Sequence, residues 1–470
     1  MFSIYKHLLY DVRLYLFVYF LLRLAFITAP PLETAHGWRQ STGLMVARNF
    51  YEVDANIMYP RLNNGGEKTG ITGTEFPIYN YLIYLVARVF GWADWYGRLI
   101  NLLVSSLGVY WFYRIILLSF SNSKWALLSA LVLLNSIWFA YSRKTMPDTF
   151  SISLVLGGLY YGYSYLKFGR WAHLSPFVLL SMLGVLCKIP SAFALALFAI
   201  LLLNSKFTLS RRLIILVGFI VIAIPVGWWY FKWVPHLVQK FGFWHYYMGE
   251  DLALGFHEII THLPQTFERF YYSAMYFSGF AFFLLGIYFA VRHRQWQLII
   301  TVGISFLLIF AFASKAGYAF YHHNYYIIPF VPVLALCAGY GLSQLNNRKL
   351  IASLIVILFT ETIINSRPEF MYRRTELYKL QIENILDRFS TRKDLIATNT
   401  GDNPQLLYFA HRNGWTNTSA ALADSSKQVE LVNLGLKFIV FNKHETETAI
   451  IKLPLVFENE DFKIYKTTAQ

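Results

Sequence analysis

RLINLLVSSLGVYWFYRIILLS, residues 98–119, carries only Arg98 and Arg114 as charges and contains no proline. As a helix rising 1.5 Å per residue it reaches about 33 Å, enough to cross the roughly 30 Å of hydrocarbon in a bilayer. Comparable apolar runs lie at 13–29, 125–141, 149–165, 173–187, 190–204, 213–231, 272–291, 298–314, 324–343 and 349–365. The pattern predicts an all-α polytopic membrane protein of about eleven transmembrane helices. The two brief runs around Lys188-Ile189-Pro190 read either as two spans with a tight turn or as one broken helix.

Composition points the same way. Of 470 residues, 56% are hydrophobic and 14% charged, against roughly 25% charged in soluble domains. No globular core buries that much apolar surface, so lipid must solvate part of it. The 41 Phe, 33 Tyr and 13 Trp suit helices packed in a bilayer with interfacial belts. The net charge of +15 is punctuation between apolar runs, not a stripe, which argues against nucleic acid and for topology signals and contacts to anionic lipid or phosphate. Cys187 and Cys337 fall within or beside apolar runs and read as small core residues, not as a disulfide or metal ligands.

With the N-terminus inside, the short cytoplasmic loops hold Lys124, Lys167, Arg170, Lys206, Arg211, Arg212, Arg292, Arg294, Arg348 and Lys349 and no acid. Asp11 is the one cytoplasmic acid; the other 25 of 26 fall outside or near the outer face. The positive-inside rule therefore predicts a cytoplasmic N-terminus and an extracytoplasmic C-terminus. Residues 1–29 read as an uncleaved first span, because Arg23 interrupts the apolar stretch. Arg23 is expected to face the bundle interior, since a charge facing lipid costs about 2.5–3.5 kcal/mol.

The division that follows is a membrane domain over 1–365 and a small extracytoplasmic α/β domain over 366–470. The first outer segment, 30–97, holds an amphipathic stretch from Ser41 to Tyr51 and a short apolar helix from Ile78 to Phe90, read as interfacial or re-entrant. A middle outer loop, 232–271, is rich in aromatic residues and histidine. In the C-terminal domain, 395–398 reads as a strand, and Asp402-Asn403-Pro404 caps a helix expected to end at Gly414. A helix near 427–434 stops at Gly435, 437–441 reads as a strand, and two strands flank a turn at 458–461. No glycine-rich phosphate loop is present there, which argues against a nucleotide-binding module.

Four clusters carry chemistry. Glu33 and His36-Gly37-Trp38-Arg39-Gln40 combine a carboxylate, an imidazole and a guanidinium, suited to a general base and an anion clamp or to an interfacial anchor. Glu75, in Gly73-Thr74-Glu75-Phe76-Pro77, precedes a helix, where capping alone is an alternative. Ser142-Arg143-Lys144-Thr145-Met146-Pro147-Asp148 offers two cations and an acid that opens a helix, either as a phosphate site or as loop charges with a plain cap. The fourth group is Lys188, Lys315, His322, His323 and Tyr325; adjacent histidines lack helical metal-ligand spacing and suit a phosphate or a sugar better. Topology is expected to place all four on one membrane face.

With those residues in view, HGWRQSTGLMVARNFY (36–51), MYPRLN (58–63), GTEFPIYNYLIYLVARVFG (73–91), GRLINLL (97–103), SRKTMPD (142–148) and HHNYYIIPFVPVLAL (322–336) resemble the GT-C superfamily of polytopic glycosyltransferases. Within it they are similar to the bacterial relatives of dolichyl-phosphate-mannose–protein mannosyltransferases and of the lipid A aminoarabinose transferase. The resemblance covers roughly residues 5–365. It implies a bacterial inner-membrane enzyme that moves a sugar from a polyprenyl-phosphate carrier to an extracytoplasmic acceptor, which is a protein, a lipid or a glycan. Most of the superfamily places an acid directly after the first span, whereas here His36 stands in the matching motif, so the base is one of His36, Glu33 and Glu75. Asp148 matches the family's second-loop acid, which positions the acceptor or, in some members, a metal; a divalent ion is left open. Arg39, Arg143, Lys188, Lys315, His322 and His323 are the candidates for the leaving phosphate, with Trp38, Gln40 and Tyr325 positioning donor or acceptor. Single displacement with inversion is the expected course. The rivals are a flippase for a lipid-linked sugar, which would favour midplane charges and internal repeats, and an O-antigen ligase or polymerase using the same carrier.

Overall fold

The computed structural model describes residues 10–202, 206–243, 249–445 and 451–467. The far end of the 190–204 run, and 244–248 in the aromatic outer loop, lie outside them. The chain forms two compact units, each discontinuous in sequence. One comprises Met1–Ile27, Gly97–Tyr230 and Tyr247–Phe370; the other comprises Thr28–Tyr96, Phe231–Tyr246 and Met371–Gln470. A division at residue 365 separates only the last segment of the second unit from the apolar helices.

Among the described residues, five helices are long and apolar enough to cross a membrane: Tyr96–Phe120, Leu209–Phe241, Trp296–Ala316, Asn324–Ser343 and Arg348–Phe370. Leu263–Ala274 and Tyr276–Arg292 make a sixth if counted as one span, bent by 95°. The chain is thus a multi-pass membrane protein, but the eleven expected runs are not all of spanning length. Ser123–Leu134 and Trp171–Cys187 are shorter. In the first of them the helix ends where polar side chains interrupt the apolar run. In the 125–141 run the Asn135 amide donates to the Leu131 carbonyl at 2.8 Å and to the Tyr19 hydroxyl at 2.6 Å. Ser136 donates to the Leu133 carbonyl, and a separate turn, Trp138–Tyr141, follows.

Packing in the first unit relies on glycine at close backbone approaches, as membrane helix pairs do. A Cβ on Gly286 would lie 2.0 Å from the Cys337 carbonyl oxygen, and one on Gly339 would lie 2.5 Å from the Ser129 backbone. Helices Tyr276–Arg292 and Ser123–Leu134 both meet Val331–Ser343 there. Arg23 is fully buried, as its sequence context demands, donating to the Ser142 hydroxyl and to the Tyr19 carbonyl. Both cysteines are buried.

The second unit holds a five-stranded sheet. Its strands are β1 (Leu395–Thr398), β2 (Gly414–Thr416), β3 (Leu436–Asn442), β4 (Leu455–Glu458) and β5 (Phe462–Lys466), in the order β2-β1-β3-β5-β4. β1 runs parallel to β2 and β3, whereas β5 is antiparallel to β3 and β4. The helix expected to run to Gly414 covers only Gln405–Ala410. His411, with φ of 52°, fills the left-handed position that usually falls to glycine. Gly414 instead opens β2, because a Cβ there would sit 1.7 Å from the Ile396 carbonyl oxygen. Its glycine serves strand pairing, not helix termination.

Helix Gly37–Glu52 packs into the core beside the sheet, with Leu44, Met45 and Phe50 buried among Ile396, Leu407 and Phe438. Arg48 donates to the Tyr408 carbonyl at 2.7 Å, its guanidinium 4.1 Å from the Tyr408 ring centre. Helix Ile78–Phe90 has the bounds its apolar run predicts and leaves Val89 and Phe90 exposed.

Two predictions follow from this packing. Gly286→Leu should overpack the helix contact by about 1–3 kcal/mol, read as a lower unfolding temperature in detergent. In the second unit, burial raises the Glu52 carboxyl, but the His411 ring at 2.6 Å outweighs it and holds the group below its ordinary value. Glu376 is likewise buried enough to be raised, yet its bonds to Lys379 and Arg373 bring it below. Folded values under unfolded ones stabilise fully above about pH 4.3 and lose that contribution as pH falls through the folded values. Hydrogen-exchange protection of β1 and β3 should therefore hold from neutrality to about pH 5 and decline below about pH 4.3.

Candidate active site

Proline at the first helical position pre-sets the backbone, and Pro147 opens the helix Pro147–Phe168 with Asp148 in its first turn. Asp148 makes no cap. Its side chain is almost fully buried, with Oδ1 3.1 Å from Lys188 Nζ. Lys188 sits where helix Leu174–Cys187 stops, in extended backbone, before the 3-10 turn Ile189–Ser191. This is a break between two short helices. Ser151 stitches it, donating to the Gly184 carbonyl at 2.7 Å and pairing with the Ser191 hydroxyl. Lys188 Nζ lies 5.6 Å and 6.0 Å from the Tyr325 and Tyr326 ring centres. The other carboxylate oxygen, Asp148 Oδ2, is buried with no hydrogen-bond partner among the described residues. Such an atom costs about 1–3 kcal/mol, and functional sites are where that cost is tolerated.

The turn before Asp148 is held from below. Asn101, fully buried, donates from Nδ2 to the Lys144, Tyr141 and Met146 carbonyls at 2.8, 3.0 and 3.2 Å. Its Oδ1 accepts from Thr149 Oγ1 at 3.0 Å. Arg143 donates to the Phe26 carbonyl at 3.0 Å and stacks over Phe370. Lys144 pairs with Glu369 at 2.7 Å. Arg143 and Lys144 are therefore buried and not solvated loop charges.

Among the remaining cationic candidates, His323 stacks on Tyr325, ring centres 5.2 Å apart, so it shares the aromatic platform of Lys188. The Tyr141 hydroxyl donates to Asn324 in the same segment. Lys315 is exposed and donates to the Glu250 carbonyl at 2.6 Å, and His322 is exposed and stacks on Tyr318. Neither is bonded to Asp148 or Lys188 among the described residues. No group of three or more His, Cys, Asp or Glu gathers to hold a metal ion among them either. Asp148 faces an ammonium, a donor set that does not fit a divalent cation.

About one helical turn beyond Asp148, Lys188 and Tyr325, the same three segments line an apolar cavity through Ile152, Leu156, Phe193, Leu197, Pro329 and Val333.

The second unit holds the other two clusters. Glu33 is buried, and its Oε2 accepts from Gln40 Nε2 at 2.5 Å. The Glu33 backbone bridges to Tyr372, and Arg373 N–H donates to the Leu32 carbonyl at 3.0 Å. His36, half-buried with φ of 61°, is the N-cap of Gly37–Glu52 but makes no side-chain cap. Arg39 and Glu75 form an ion pair at 2.7 Å, joining two clusters that lie 36 residues apart. Taking up a proton at Glu75 would forfeit that pair. Trp38 is exposed, as an interfacial anchor would be.

The sequence reading missed Asn101, Tyr141, Asn324 and Glu369. Asn101 alone left a signal, as a polar residue inside an apolar run; the others pair across more than 180 residues.

Comparison with known proteins fits this geometry. The family model described as dolichyl-phosphate-mannose-protein mannosyltransferase matches residues 74–231. No curated protein matches the sequence. Among solved structures, ArnT from Cupriavidus metallidurans bound to undecaprenyl phosphate superposes with a TM-score of 0.64 at 12% identity, covering 96% of this chain and 97% of that one. The archaeal oligosaccharyltransferase AglB from Archaeoglobus fulgidus, in complex with an inhibitory peptide and a dolichol-phosphate, superposes at 0.57 and 12% identity, covering 94% and 70%. By fold the chain is similar to both of these membrane proteins. Its likeness to ArnT runs over nearly the full length of both chains.

Asn101→Ala should remove a side-chain donor shared by the buried carbonyls of the 141–146 turn, at about 1–3 kcal/mol. Thermal unfolding in detergent should show the loss, and Asn101→Asp should not restore it, because a carboxylate cannot donate.

Proposed function

We propose that this protein is a glycosyltransferase of a bacterial inner membrane that moves a sugar from a polyprenyl-phosphate carrier to an extracytoplasmic acceptor. The observation that carries the reading is the buried Asp148–Lys188 pair, one carboxylate oxygen without a hydrogen-bond partner, about one helical turn from an apolar cavity. An isoprenoid tail suits the cavity, and its phosphate suits the ammonium above it. The structures of ArnT bound to undecaprenyl phosphate and of AglB with a dolichol-phosphate support that choice of donor class.

The reaction is a single displacement with inversion. An acceptor hydroxyl attacks the anomeric carbon, its proton passes to a carboxylate or imidazole, and the bond to the carrier phosphate breaks. A phosphate leaves without an acid but needs cations, because charge builds on its oxygens. Lys188 is assigned that role, with His323 and Tyr325 beside it. Once Lys188 turns to the phosphate, Asp148 loses its counter-ion and is free to hold the acceptor hydroxyl. Arg39 and Arg143 remain candidates for the phosphate from their own clusters, and Lys315 and His322 are demoted to the rim. His36, Glu33 and Glu75 remain the alternatives for the base, with Gln40 positioning Glu33. The acceptor class (protein, lipid or glycan) stays open in this proposal.

The test incubates purified protein with polyprenyl-phosphate sugars and candidate acceptors and follows release of the carrier phosphate. Asp148→Asn should lower kcat at least about tenfold with the fold retained, and Lys188→Met should raise the donor KM as well. Wild-type rates in both variants would remove the site.

A further inference from the structure

The first helix, Val12–Arg23, with the two residues before it, and the helix Tyr96–Phe120 frame a second cleft, lined by Tyr10, Asp11, Arg13, Tyr110, Tyr113 and Arg114. On Tyr96–Phe120, Arg114 lies 13 residues from Asn101, roughly 20 Å along the helix axis, so the cleft is far from the Asp148–Lys188 pair. Its charges are not balanced. Asp11 is already consumed by Arg13, which grips it through Nε at 3.0 Å and Nη2 at 2.6 Å. Arg114 is half-buried; it donates to the Tyr110 hydroxyl at 2.9 Å and lies 5.4 Å from the Tyr160 ring centre. No carboxylate lies within ion-pair distance of Arg114 among the described residues. A half-buried guanidinium on a membrane helix without a counter-ion in the protein calls for one from outside.

The flanks say what kind. Leu103, Leu107, Tyr110 and Arg114 follow a helical i, i+4, i+7, i+11 stripe, with Leu103 and Leu107 exposed. On the first helix, Leu14, Phe17 and Leu21 continue the spacing from Tyr10, which precedes it, with Phe17 and Leu21 exposed. Each stripe is apolar along its length and polar at the cleft. A free anion would use only the polar end; a phospholipid uses both, with acyl chains along the leucines and phosphate on the guanidinium. We propose that this cleft binds the headgroup of an anionic phospholipid, with Arg114 donating its planar fork to the phosphate and the Tyr110 and Tyr113 hydroxyls bordering it. The site is separate from the transferase reading and stands whether or not that reading holds.

The experiment places the full chain in phosphatidylcholine nanodiscs doped with phosphatidylglycerol and reads lipid retention by native mass spectrometry. Wild type should keep phosphatidylglycerol over phosphatidylcholine. Arg114→Gln should lower that retention at least about fivefold, and Arg114→Lys should lower it by about twofold or more, since an ammonium lacks the fork. Arg348→Gln, which removes an exposed charge elsewhere, should leave it unchanged. Equal retention in wild type and Arg114→Gln overturns the proposal, as does an equal loss in Arg348→Gln. If Arg114→Gln does not fold, retention by Arg114→Lys equal to wild type overturns it instead. Displacement of the lipid by millimolar inorganic phosphate would assign the cleft to free phosphate and also overturn it.

Discussion

An ammonium and a carboxylate withdrawn from water together are held only by each other and by what surrounds them. Asp148 and Lys188 are in that position, side chains 2% and 9% exposed and 3.1 Å apart. Breaking such a pair by removing one partner is far costlier than the pair is worth, because a bare buried charge remains. The neighbouring structure reads as the means of keeping them in register. Asn101 fixes the turn that aims Asp148, Ser151 ties the break that carries Lys188, and Tyr325 and Tyr326 floor the ammonium.

The breaks themselves follow from a rule of the bilayer. Backbone N–H and C=O groups in lipid must be paired, so non-helical backbone survives only where other groups satisfy it. Polar residues scattered through the apolar runs do that work here. Thr362 donates to the Asn135 carbonyl at 3.0 Å where one helix ends. Glu361 accepts from the Phe277 and Ser278 amides at 3.0 and 2.9 Å just after the 95° bend. The last helix of spanning length among the described residues, Arg348–Phe370, thus supplies Thr362, Glu361 and Glu369 to three different breaks. Its polar residues look out of place in a span until their partners are known.

That is also why the sequence was readable in some places and opaque in others. Composition and run length suffice for a multi-pass membrane protein. Proline before Asp148 marks a helix start, and Arg23 had nowhere to go but inward. The short apolar runs at 395–398 and 437–441 and the turn at 458–461 were enough for most of the sheet. Span count was not readable, because a helix that stops at Asn135 or Cys187 does so through contacts made elsewhere in the chain. Gly414 misled for a related reason: glycine permits both a helix stop and a close strand approach, and only the position of Ile396 decides. The Arg39–Glu75 and Lys144–Glu369 pairs were invisible because no local pattern predicts a partner tens or hundreds of residues away.

Among the candidate acids, the surroundings separate roles that residue type cannot. Glu75 is held by Arg39, a guanidinium that stays charged at any working pH and that binds a carboxylate more rigidly than an ammonium does. Asp148 is held by a lysine, a single flexible cation that can turn from one anion to another. On the transferase reading, arrival of a donor phosphate is then the event that uncovers Asp148, since one ammonium cannot neutralise both. A carboxylate masked until the leaving group is seated would keep the acceptor from being gripped in an empty site. The lysine, not the acid, would then set the order in which the two substrates are held.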